Sequence, residues 1–142
     1  MMFRVTFLFV TLCVGYLCAE KPQVHLNPDK MAEIIQGVMA CIGETGLDPD
    51  LISQLRNGKN PSETSDSKLP KFIHCAFLKT GYGKKNGHVK VDKTLALYPD
   101  NVDKDAIKKA LEECDKDGKD PVSTTYEFFK CYREKTPVKL VL

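Results

Sequence analysis

Residues 69–80 read LPKFIHCAFLKT, and this stretch decides the fold. Leu69, Phe72, Ile73, Ala76, Phe77 and Thr80 stand at offsets of 0, 3, 4, 7, 8 and 11. That spacing puts them in one stripe along a single helical face. Pro70 falls in the first turn, where the missing N–H would have had no partner. The stretch predicts an amphipathic helix.

The same reading extends in both directions. Upstream, Asn27-Pro28 suits a helix start, since Asn can accept from free N–H groups and Pro fits the first turn. Met31, Ile34, Ile35, Val38, Met39 and Ile42 then recur at helical spacing, until Gly43 and Gly46 end the helix. Asp48-Pro49 opens a short second helix with Leu51, Ile52 and Leu55, closed by Gly58. Residues 60–68 are polar and read as a loop. Downstream, residues 81–87 are turn-rich, and a short helix is predicted over 91–97, stopped by Pro99. A fifth helix is predicted over 102–114, with Ala106, Ile107, Ala110 and Leu111 inward. Asp120-Pro121 starts a sixth, running to about residue 135. Its Val122, Thr125, Tyr126 and Phe129 form one face, while Phe128 and Cys131 lie toward another. A helix apolar on several sides is buried among others, so the sixth is expected at the centre. No stretch makes a convincing strand.

The first nineteen residues read differently. Arg4 is their single charge, followed by an uncharged run from Val5 to Cys18. The run is shorter than the roughly 20 apolar residues that cross a bilayer. It has the layout of a secretory signal, with cleavage expected after Ala19 and with Cys18 or Gly15 as alternative cut sites. A membrane anchor or buried N-terminal helix is the competing reading. Residues 20–142 would then be one secreted domain, with an apolar tail over 136–142.

Cleavage changes the cysteine count. Cys13 and Cys18 leave, and Cys41, Cys75, Cys114 and Cys131 remain. In an oxidising compartment four separated cysteines read as two disulfides, with three pairings open on spacing alone. A metal site is disfavoured: there is no CxxC knuckle, and His25, His74 and His88 show no ligand spacing. Loss of Arg4 leaves 20 basic residues against 19 acidic, which points to neither nucleic acid nor an anionic membrane as partner. No nucleophile elbow, HExxH or phosphate loop is present, so an enzyme is not expected.

Around its cysteines the chain resembles the insect odorant-binding proteins. Cys75 is followed by AFLKTG, which places Gly81 six residues on, and then by YGKKNGHV. Cys114 is followed by DKDGKDPVSTTYEFFKCY, which carries a glycine turn, an Asp-Pro helix start and Cys131. The resemblance covers nearly the whole mature chain. It departs at two positions. The family's second cysteine falls on Lys71 and its fifth on Val122, and the family joins those two to each other. Both are absent together, as in the four-cysteine, minus-C variant.

The resemblance implies an all-α fold of about six short helices around an apolar cavity, with bridges Cys41–Cys75 and Cys114–Cys131. Each bridge would contribute roughly 3–4 kcal/mol. It also implies extracellular transport of a small hydrophobic odorant, pheromone or similar molecule, without cofactor or metal. The expected ligand-binding residues are Ile34, Val38, Phe72, Ile73, Phe77, Leu95, Leu111, Tyr126, Phe129, Val138 and Leu140. Tyr126 or a backbone group is the candidate to fix a polar end, and the tail is a candidate lid or wall, with packing on an outer groove as the alternative. The expected protein is a monomer or weak homodimer, with a chemosensory receptor as a second candidate partner. Alternatives are a secreted helical protein acting through protein or receptor contacts, and a carrier of non-olfactory lipid-like ligands.

Two signals have plainer readings. DKDGKD over 115–120 looks like a calcium loop, but with Gly118 at position six, position twelve is Thr124 rather than Glu. A solvated turn with a helix cap fits better. The large aromatic residues could equally be plain core.

Overall fold

The computed structural model describes residues 20–141. The predicted signal segment therefore lies outside the described residues. Six helices follow one another: α1 (Pro28–Thr45), α2 (Pro49–Arg56), α3 (Lys68–Lys79), α4 (Val91–Leu95), α5 (Lys104–Cys114) and α6 (Pro121–Lys135). Two short strands, β1 (Gln23–His25) and β2 (Lys139–Val141), pair in parallel with Val24 opposite Leu140. The sequence predicts no such pairing. Three residues are too few to show an alternating pattern, and the two segments meet only because α6 returns the chain to its start.

Helix boundaries follow local chemistry. Asp48 accepts from Asp50 N, Asp103 from Ala106 N and Asp120 from Ser123 N, each satisfying a free donor in a first turn. Asn27 makes no such bond, so Pro28 alone marks the start of α1. Gly43 does not end α1, which continues to Thr45 and stops at Gly46 in the left-handed conformation. The polar loop after α2 contains a single 3-10 turn, Pro61–Glu63, capped by Asn60.

Disulfides join Cys41 to Cys75 and Cys114 to Cys131, tying α1 to α3 and α5 to α6. Helix α6 lies between two apolar clusters. Phe128 belongs to one, with Tyr98, Ile107 and Leu111. Phe129 and Tyr126 pack on the other, built on Cys41, Leu55, Leu69 and Phe72. The central position expected for the sixth helix is therefore observed. On α1, however, Ile35 and Met39 face solvent, more than half exposed. The inward stripe is the narrower one through Met31, Ile34, Val38 and Cys41.

A polar contact joins α3 to α6 one turn beyond Lys71 and Val122. Thr125 Oγ1 lies 2.9 Å from Gly87 O and 3.1 Å from Pro121 O, both of which only accept. Its one proton goes to them, so His74 Nδ1, 2.8 Å away, donates to the threonine oxygen. Thr125 is 1% exposed. Thr125→Val keeps the shape but strands His74 and Gly87. A loss of about 1–3 kcal/mol is expected in urea unfolding; an unchanged midpoint would show that the contact adds nothing.

The DKDGKD segment forms the solvated turn and helix cap. Asp120 caps α6, and Asp115 and Asp117 each take one ring nitrogen of His88, both at 2.8 Å. Hydrogen bonds to Asp115, then Asp117, raise the His88 pKa above 6.5. The folded protein thus holds this proton more tightly than the unfolded chain. Its stabilisation is complete below the unfolded value and fades as pH rises through the raised one. The stability difference between the parent and His88→Gln should therefore shrink from acid toward mildly alkaline pH. A difference that grows with pH would contradict the contact. His74 has the opposite sign, because burial lowers its pKa against the pull of Asp120.

Candidate functional site

Between the two apolar clusters lies a cavity of about 900 Å³. Helix α3 supplies Phe72, Ile73, Ala76 and Phe77, the stripe predicted from residues 69–80. Helix α1 adds Ile34 and Val38, α2 adds Ile52 and Leu55, and α5 adds Leu111. From α6 come Phe128, Phe129, Tyr132 and Arg133, whose i, i+1, i+4, i+5 spacing gives one face. The β1–β2 pair closes a further side through Gln23, Lys139 and Leu140, with Val138 just before β2. The tail thus contributes to the wall, and Val138 is buried.

Nine of the residues expected on the wall line it: Ile34, Val38, Phe72, Ile73, Phe77, Leu111, Phe129, Val138 and Leu140. Tyr126 and Leu95 do not. Tyr126 sits on the side of α6 facing the loop after α2, where its hydroxyl donates to Pro61 O. Helix α4 ends at Leu95, and the following turn brings Leu97 and Tyr98 to the wall in its place. The tyrosines that line the cavity are Tyr82, Tyr98 and Tyr132. The sequence reading expects none of these on the wall, nor Arg133, and it turns Phe128 toward a face other than the one through Tyr126 and Phe129. Phe128, Tyr132 and Arg133 do carry the helical spacing, but the apolar face through Tyr126 competes with theirs for the inward position.

The polar groups on this wall are mostly self-satisfied. Tyr98 and Tyr132 hydroxyls lie 2.6 Å apart. Burial, reinforced by Tyr132, drives the Tyr98 pKa far above its ordinary value, so that hydroxyl stays protonated. Thr80 and Thr136 spend their hydroxyl protons on Ala76 O and Val138 O. Phe77 meets Phe128 edge to face at 5.8 Å, and Phe128 stacks on Tyr132 at 5.7 Å. Among the described residues, no group on this wall forms a nucleophile–base pair. The arrangement can hold an apolar molecule and offer hydrogen bonds to it.

A small disulfide-stapled helical domain wrapped around an apolar cavity is the architecture of a carrier of small hydrophobic molecules. The chain belongs to the PBP/GOBP family, whose pattern it matches over residues 23–135. It is similar to odorant-binding protein 10 of Aedes aegypti, with 31% identity over 113 residues, covering 78% of this chain and 80% of that protein. It is 27% identical over 126 residues to general odorant-binding protein 69a of Drosophila melanogaster, covering 87% of this chain and 83% of the other. The crystal structure of an odorant-binding protein of Locusta migratoria shares the fold, with a TM-score of 0.65 at 17% identity over 80% of this chain and 86% of that one.

Proposed function

We propose that the protein is secreted and carries a small hydrophobic organic molecule, such as an odorant or pheromone, in this cavity. The observation that carries the reading is the wall itself: aromatic and aliphatic side chains from five helices and the tail converge on space rather than on each other. Burial of ligand surface there would contribute roughly 25 cal/mol per Å². No chemical step is assigned to it. Ile34, Val38, Phe72, Ile73, Phe77, Leu111, Phe129, Val138 and Leu140 are proposed as the contact residues. Residues 1–19 are proposed as a signal peptide and 20–142 as the mature domain. That domain is a minus-C variant in which the His74–Thr125 contact stands one turn from the absent bridge.

An apolar fluorescent probe tests the reading. The secreted protein should bind it saturably and one to one, and should release it to a hydrophobic competitor. Linear, unsaturable uptake would point to surface association and remove the carrier assignment.

A further inference from the structure

Arg133 lies in the last turn of α6 with its guanidinium half-buried on the cavity wall. Nη2 donates to Leu55 O at 3.0 Å and Lys59 O at 3.3 Å. These two bonds leave three of the five guanidinium donors without a described partner. The Phe129 ring lies 5.5 Å away. Among the described residues no carboxylate comes within 4.0 Å of this group, whereas seven lysines of the chain have such a partner. Burial lowers the Arg133 pKa, and no neighbouring charge offsets it. A half-buried cation facing an apolar cavity is costly unless something supplies the counter-charge. The wall around it repeats the sign: Lys21, Arg56, Arg133 and Lys139 line the cavity, against Glu20 alone among the acids.

We propose that the cavity takes an amphipathic monocarboxylate, a long-chain carboxylic acid, with its carboxylate on the free donors of Arg133 and its chain along the apolar wall. The planar guanidinium fork matches a carboxylate, and charge-assisted bonds of this kind are roughly twice as strong as neutral ones. The chain would run from Phe129 toward Phe72, Ile73 and Leu111, where the wall carries no charge. This inference rests on the carrier reading and adds the head-group chemistry to it. The plainer role for Arg133 is a cap on the carbonyls at the end of α2, and that role predicts no preference for acids.

The test compares palmitic acid with the alcohol of equal chain length, by displacement of an apolar fluorescent probe at neutral pH. The parent should bind the acid at least about tenfold more tightly. Arg133→Met should abolish that preference by weakening the acid far more than the alcohol, and Arg133→Lys should keep part of it. Equal affinities in the parent, or a preference that survives in Arg133→Met, would overturn the proposal and leave the carrier reading intact. If neither compound binds, both readings fall. A measurement on the parent alone covers a variant that does not fold. Carbon-13 NMR of carboxyl-labelled palmitate should show the bound carboxyl ionised to lower pH than the free acid; titration at the ordinary value would overturn the proposal.

Discussion

Replacing Cys41 and Cys75 together by serine is expected to cost about 3–4 kcal/mol of stability. The bridge closes a loop of 34 positions and is the covalent tie between α1 and α3, two helices that each supply cavity wall. Cys41 is fully buried, so the variant also places a hydroxyl in the apolar cluster around Leu69 and Phe72. Guanidinium unfolding of parent and double variant measures the difference. A change below about 1 kcal/mol would mean that packing alone holds α1 to α3.

Phe128→Ala should have a comparable effect, about 3–5 kcal/mol. Phe128 is 3% exposed, meets Phe77 edge to face and Tyr132 in a stack, and lines the cavity. Its removal extends existing space, so the surrounding wall has little with which to close the gap. Bulkier apolar ligands should gain affinity relative to small ones. Phe129→Ala differs, because its ring is only partly buried: ligand affinity should fall with a smaller stability loss. Calorimetric unfolding and probe titration of the two variants separate these effects. Equal stability losses would show that the two rings share one environment.

The helices were legible because their apolar spacing, Asp-Pro starts and glycine stops act locally. The stripe of 69–80 identified its own inward face, and that face meets the cavity. On α6 the same reasoning met apolar groups on several sides, and periodicity could not choose among them. Tertiary contact decides: the loop after α2 takes Tyr126, and the cavity takes Phe128, Tyr132 and Arg133. On α1, Ile35 and Met39 fit the helical period yet face solvent, because only the narrower stripe meets the two apolar clusters. The β1–β2 pair depends on the two ends of the domain meeting in space, which no local window can register. Disulfide pairing came from family resemblance, since spacing left three choices open.

The central claim is that ligand occupies the space between α1, α3 and α6. Filling that space tests it most directly. Ala76 lies on the wall, and Ala76→Phe would project a ring into the cavity. Isothermal titration of parent and variant with the same apolar ligand is the measurement. The account predicts one-to-one binding by the parent and at least about a tenfold loss in the variant, with the thermal midpoint retained. A folded variant that binds as tightly as the parent would contradict it.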